Sequence, residues 1–249
     1  MLISDLTHEA GDIFTAGYRL SQAENFWPAG TVFVTVVDPG VGTPRRSIVL
    51  KTRTGHYFVG PENGLLTLVA ERDGIAGLRE IDERVNRRPG SGESHTFHGR
   101  DVYGYTGARL AAGRISFEQV GPSLPPDSLV KLAYRQPTRE GDRVTGLIPV
   151  LDIQFGNVWS NIPKALFDQL GVATGERVHV RIFRGDTLVD ELEAPYARTF
   201  GQVPVGQPLV YVNSLMNLSL ALNQGSFAAA HNIGFGLDWR IEIQRLPKP

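Results

Sequence analysis

Apolar and polar positions follow two different periods along the chain. From Asp12 to Phe26, Ile13, Phe14, Tyr18 and Leu20 fall on or near one helical face, and Pro28-Ala29-Gly30 ends the segment. Thr31 to Val37 (TVFVTVV) is β-branched and almost wholly apolar, the pattern of a strand buried on both faces. The loop DPGVGTP follows it. Ser47 to Thr52 and His56 to Val59 read as two further strands joined by a turn. Asn63 opens a short helix, LLTLVAER, that stops near Gly74. Asp101 to Ala112 reads as another helix, with Gly113 just past its end. Strands alternating with helices predict an α/β layer with a mainly parallel sheet.

The pattern changes after Val144. LIPVLDI, RVHVRIF, LVYVN and RIEIQRL are short strand signals, and Pro163 to Leu170 reads as one short helix with proline at its first position. Short strands between Gly and Pro turns predict a smaller β-sandwich or β-barrel. The Pro-rich, charged stretch PPDSLVKLAYRQPTREGD separates the halves and places a boundary within residues 123–145. The expected organisation is an α/β domain over residues 1–130 and a β domain over residues 145–249.

Composition narrows the classes of function. The 249 residues are 41% hydrophobic and 20% charged, ordinary for a globular chain, and 28 Gly and 16 Pro fit a fold rich in tight turns. The formal net charge is -1, so there is no basic field to hold nucleic acid. With no cysteine there is no disulfide, thiolate metal site or cysteine nucleophile. No apolar run approaches the ~20 residues needed to span a bilayer, and MLISDLTHEAGD lacks the basic-then-apolar pattern of a secretory signal. A cytoplasmic protein without membrane or nucleic-acid partners is expected.

Four segments could carry chemistry. DPGVGTPRR follows directly on a strand, where α/β sheets place their ligands, and its loop could fold back to bring Asp38 against Arg45. It could equally be a turn with an exposed aspartate and surface arginines. A phosphate-binding loop fits less well, because the third glycine is missing and a strand follows. HGRD, His98 to Asp101, lies at a helix start and makes Asp101 an N-cap or first-turn acid. His98 is then either a site residue or a plain loop histidine. DIQFGNVWSNIP sets Asp152, Asn157, Ser160 and Asn161 among Phe155 and Trp159. Aromatic faces beside amide groups suit a nucleoside, and a strand end plugged by aromatics fits as well. NSLMNLSLALNQGSFAAA, residues 213–230, reads as a core helix or strand pair with Asn caps. The six histidines are scattered, which argues against a metal site.

Taken in order, LTHE (Leu6 to Glu9), VVDPGVGT…R (Val36 to Arg45), FVGPENGLL (Phe58 to Leu66), TFHGRD (Thr96 to Asp101), FGNVWSNI (Phe155 to Ile162) and NS…LALN (Asn213 to Asn223) span nearly the whole chain. Together they resemble the SAM hydroxide adenosyltransferases, a family related to the SAM-dependent fluorinase and chlorinase. The resemblance implies hydrolysis of S-adenosyl-L-methionine (SAM) to adenosine and L-methionine without a cofactor. It implies a homotrimer with SAM between the N-terminal domain of one subunit and the C-terminal domain of its neighbour. It implies a catalytic set matched by Asp38, Arg45 and His98. The related halogenases carry other residues where Asp38 and His98 stand, so the pattern favours water over halide; a halogenase and a SAM- or adenosine-binding protein without turnover are the alternatives.

Asp152, Phe155, Asn157 and Trp159 match positions that hold adenosine and the amino-acid end. Ser214 matches a contact to the methionine carboxylate, Asn213 stands beside it in the same substrate-binding set, and Gln224 sits where backbone groups meet adenine. Leu215 replaces an arginine of the halogenases. Relatives also carry a strand and a TDFG-like loop, whose acid holds the ribose hydroxyls, well upstream of LTHE. Here five residues precede Leu6, and the N-terminal domain is expected to lack that strand and loop.

The chemistry is consistent with such a set. A sulfonium is an excellent leaving group, so the demand falls on an in-line nucleophile at ribose C5′. Bulk water is a very weak acid that holds its proton far above neutral pH. A carboxylate can accept a water proton while cationic and imidazole groups orient the pair. Positioning alone can contribute on the order of 7–11 kcal/mol.

Overall fold

The computed structural model describes residues 11–247, so the LTHE motif lies outside the described residues. The chain divides into two compact units, Met1–Ala133 and Tyr134–Pro249.

The first unit begins with Asp12, whose carboxylate accepts from the Thr15 amide at 3.0 Å and caps α1 (Ile13–Ala23). Phe14, Tyr18 and Leu20 are buried on its inner side. Five strands follow: β1 (Val32–Val34), β2 (Ser47–Thr52), β3 (Tyr57–Pro61), β4 (Ile75–Glu80) and β5 (Ser123–Leu124). They pair in the order β1-β3-β2-β4-β5. Only β1 and β3 run parallel; the other three pairings are antiparallel. The described sheet is therefore mixed, not mainly parallel. The reason is local. A tight turn closed by Thr52 N–H to His56 O at 2.9 Å joins β2 to β3, and so short a link can only reverse the strand.

Alternation along the strands builds two cores. Ile48, Leu50 and Phe58 face α1 and α2 (Thr67–Asp73), with Leu20, Leu66 and Val69. Val49 and Val59 face the opposite layer with Val102, Tyr103, Ile115 and Val120. That layer holds a turn of π-helix, Gly99–Gly104, running into α3 (Tyr105–Ala111). Gly113, at φ +64°, stands past the helix end as its pattern predicts. Asp101 is the first-turn acid of the π turn, and His98 stands at its N-cap position. The doubly buried strand expected over Thr31 to Val37 is not formed: β1 ends at Val34, which is 44% exposed, and Val36 beyond it is 42% exposed. Its three residues stand at one end of the described sheet, and apolar content alone cannot distinguish an edge from a centre.

The second unit contains β6 (Thr138–Glu140), β7 (Arg143–Ile148), β8 (Val150–Asp152), β9 (Asn157–Pro163), β10 (Arg177–Arg184), β11 (Thr187–Pro195), β12 (Pro208–Val212), β13 (Asn217–Leu222) and β14 (Gly236–Arg245). They form two antiparallel sheets, β11-β10-β14-β7-β6 and β12-β13-β9-β8. One core draws on both sheets, including Val144, Val180 and Ile241 from the first and Val158, Val210 and Leu220 from the second. This is sandwich-like packing, and the described strands form no closed barrel. Pro163 is the N-cap of α4 (Lys164–Asp168), one position earlier than expected. Residues 213–230 resolve into β13 and α5 (Phe227–His231), capped by Ser226. Among the described residues no helix is long and apolar enough to cross a membrane.

Candidate active site

The first unit brings Asp38, Arg45 and His98 together. The loop after β1 folds by successive turns, with Val41 N–H to Asp38 O at 3.2 Å and Thr43 N–H to Gly40 O at 3.1 Å. Gly42 takes φ +81°, a conformation costly for other residues. The loop thus returns to β2 with Arg45 against Asp38. The neighbouring Arg46–Glu62 ion pair fixes the start of β2, and Asn63 Nδ2 donates to Val37 O at 2.8 Å, holding the backbone just before Asp38.

Arg45 Nε donates to Asp38 Oδ1 at 2.7 Å, and Nη2 donates to Oδ2, a two-pronged pair. The two side chains are 10% and 6% exposed, so solvent screens them little. His98 precedes the π turn and places Nδ1 3.3 Å from Arg45 Nη2. Since a guanidinium only donates, Nδ1 must accept, and in the neutral ring Nε2 then carries the proton. Burial holds the His98 pKa below the ordinary histidine value; Glu83 pulls the other way, and Arg45 adds to the lowering. His98 is therefore a neutral donor at neutral pH. Its Nε2 and Arg45 Nη1 are buried and have no hydrogen-bond partner among the described residues. Buried donors without a partner suit an oxygen that accepts from them, and the Asp38 carboxylate held by Arg45 is an acceptor for a proton.

The other candidates lie in the second unit. Asp152 ends β8, and its carbonyl accepts from the Phe155 and Gly156 amides at 3.1 and 2.7 Å, closing the turn into β9. Gly156 has φ +70°, and a Cβ there would lie 1.9 Å from Ser226 Oγ. Phe155 is 65% exposed on this turn, whereas Asn157 is buried with Nδ2 3.5 Å from Asp152 Oδ2. Trp159 is half-buried on β9 and pairs in register with Ser219. Ser214 and Gln224 are exposed in the turns before and after β13, Gln224 at φ +57°.

Asn213 is the exception within this set. Its Nδ2 donates to Ser219 Oγ at 3.0 Å, and its Oδ1 accepts from the Leu215 and Asn217 amides at 2.9 and 3.1 Å. Its side chain is occupied in building the β12–β13 turn.

A titratable cluster that sequence reasoning missed lies elsewhere in the first unit. Glu24, His56 and Asp73 are buried and offer ligand atoms within 4.8 Å of one another. They come from distant stretches of chain, and no local spacing signals them. Arg72 pairs with both carboxylates, reaching Asp73 Oδ1 at 2.9 Å, so the cluster carries its own cation. His56 Nε2 lies 3.1 Å from Trp27 O.

The chain belongs to the SAM hydroxide adenosyltransferase family: the family's N-terminal domain matches residues 1–121 and its C-terminal domain residues 146–240. It is 36% identical over 229 residues to the (R)-S-adenosyl-L-methionine hydrolase of Salinispora tropica, covering 91% of this chain and 80% of that protein. It is 32% identical over 243 residues to a fluorinase of Actinopolyspora mzabensis, covering 87% and 78%. A crystal structure of an uncharacterized conserved protein from Thermotoga maritima superposes with a TM-score of 0.87 at 39% identity, covering 98% of this chain and 89% of that one.

Proposed function

We propose that the chain hydrolyses SAM to adenosine and L-methionine, with a water held at the Asp38–Arg45–His98 set attacking ribose C5′. The observation that carries this reading is the buried Asp38–Arg45 pair with His98 Nδ1 on the same guanidinium, whose Nη1, like His98 Nε2, is a buried donor with no partner among the described residues. In the step, an O–C5′ bond forms and the C5′–S bond breaks. Its electron pair passes to sulfur, converting the sulfonium to the neutral thioether of methionine. Asp38 is the acceptor for the water proton, because His98 Nδ1 already accepts from Arg45. Its oxygens retain lone pairs beyond those that Arg45 occupies. His98 orients the water through Nε2–H. The sulfonium supplies the driving force, so the reaction needs no cofactor or metal.

Asp152, Phe155, Asn157, Trp159, Ser214 and Gln224 are assigned to SAM, and Asn213 to the turn that presents Ser214. The arrangement that best serves the reaction is a homotrimer, in which residues 1–130 of one subunit supply the nucleophile set and residues 145–249 of a neighbour supply the substrate contacts. The cytoplasm, where SAM is made and used, is the compartment proposed.

The halogenase alternative is less favoured, because a halide would meet the Asp38 carboxylate. Incubation of purified protein with SAM, with and without added fluoride or chloride, followed by chromatography tests the reading. Adenosine independent of halide is expected. A 5′-halo-5′-deoxyadenosine formed only with halide would mean a halogenase, and calorimetric binding without any product would mean a binding protein.

A further inference from the structure

The nucleophile set rests on a residue to which the reaction itself assigns no part. Tyr103 is fully buried in the π turn. The Arg45 guanidinium lies 5.7 Å from its ring centroid, and the His98 ring meets it edge-on at 6.4 Å and 80°. Two of the three candidate residues therefore pack on one aromatic ring. A phenylalanine would fill the same volume, so the hydroxyl needs its own account. It lies 3.3 Å from Ser47 Oγ, and Ser47 Oγ lies 3.3 Å from Glu83 Oε1. Ser47 has one proton, and it is directed at the carboxylate, so Ser47 accepts from the tyrosine. Burial pushes the Tyr103 pKa up to about 12, which keeps the hydroxyl a donor at any working pH. Arg87 holds Glu83 in turn, Nη1 to Oε2 at 2.7 Å. A directional chain runs from Tyr103 through Ser47 to a charge-anchored Glu83.

We propose that Tyr103 is a positioning residue. Its ring fixes the Arg45 guanidinium and the His98 imidazole so that Arg45 donates to Nδ1 and Nε2 keeps its proton, and the Ser47–Glu83 chain locks the ring in place. The inference deepens the SAM-hydrolase reading, and its kinetic arm rests on that reading.

The test combines kinetics with the nitrogen-15 NMR signature of the His98 ring in Tyr103→Phe, Ser47→Ala, the double variant and Tyr103→Leu. A displacement of about 1 Å in a reacting geometry costs on the order of 100-fold, so Tyr103→Leu is expected to lose about that much kcat with little change in KM. Its His98 should pass from the pure Nε2–H form to a mixture of tautomers. Tyr103→Phe and Ser47→Ala each cut the same chain, so each should lose severalfold in kcat and the double variant no more than either. That comparison stands even if Tyr103→Leu does not fold.

Full additivity in the double variant would overturn the proposal. So would loss of kcat in a folded Tyr103→Leu whose His98 keeps one tautomer, or a folded Tyr103→Leu with unchanged kcat. If the wild-type protein forms no adenosine, the SAM-hydrolase reading fails by itself, and the NMR arm still decides whether Tyr103 sets the tautomer.

Discussion

Arg45 grips both carboxylate oxygens of Asp38 while both side chains are nearly shut off from solvent. The pair fixes the acceptor and leaves one buried arginine nitrogen, Nη1, without a partner among the described residues. Asp38→Asn keeps the shape but removes the charge and the proton acceptor. It should lower kcat on the order of 10²- to 10⁴-fold, the range associated with a positioned acid or base. Initial rates of adenosine release, beside a circular dichroism spectrum matching wild type, check this; a loss below threefold contradicts it.

His98 gives the site an acid limit. Its pKa is held below the ordinary histidine value, chiefly by burial, so the neutral ring dominates at pH 7. As pH falls through that lowered value, Nδ1 gains a proton and can no longer accept from Arg45, so the rate should drop. The stability linkage has the same sign. The unfolded chain binds the proton first, near pH 6.5, so the stability contribution is complete above that pH and fades as pH falls toward the folded value. A pH–rate profile and urea midpoints at several pH values measure both, and His98→Gln should flatten the acid limb of each.

Arg72 holds Glu24 and Asp73 inside the first unit. Arg72→Met leaves Glu24, which is fully buried, without its cation. Removing one partner of a buried pair costs about 3–5 kcal/mol, and the partial exposure of Arg72 places the expected loss near the lower end. Urea unfolding gives the number. A loss below 1 kcal/mol would contradict this.

Gly156→Ala tests the turn that presents Phe155. It sets a Cβ on Ser226 at positive φ, and strain plus overpacking should cost about 2–4 kcal/mol. Adding Ser226→Gly should recover only a small part of this, because the new Cβ would still lie 2.6 Å from the residue-226 Cα and the α5 cap on the Ala229 amide would be lost.

The parts legible in the sequence and those hidden from it divide on physical lines. Helix ends were readable in part: Gly113 stands past a helix end and α2 stops before Gly74, but Asn63 opens the loop ahead of α2 and not the helix, which begins at Thr67. The Asp38–Arg45 pair was within reach because one short loop holds both residues. His98 lies 53 residues from Arg45, and only the ordered set of motifs placed it in the site. Strand direction was misjudged because the turn between β2 and β3 is too short for anything but a reversal, and the burial of TVFVTVV because apolar content is the same at an edge as at a centre. The Glu24–His56–Asp73 cluster and the role of Tyr103 arise from tertiary contact, and no local spacing encodes them. The motif that holds Asn213 was legible, but the hydrogen bonds that its side chain makes within the β12–β13 turn were not.

Hydrolysis of SAM in water enriched with oxygen-18 tests the central claim most directly. Attack of water at C5′ predicts one labelled oxygen, at the 5′-hydroxyl of adenosine, with methionine released in equal amount and unlabelled. No adenosine above a buffer blank, or adenosine without the label, would contradict the account.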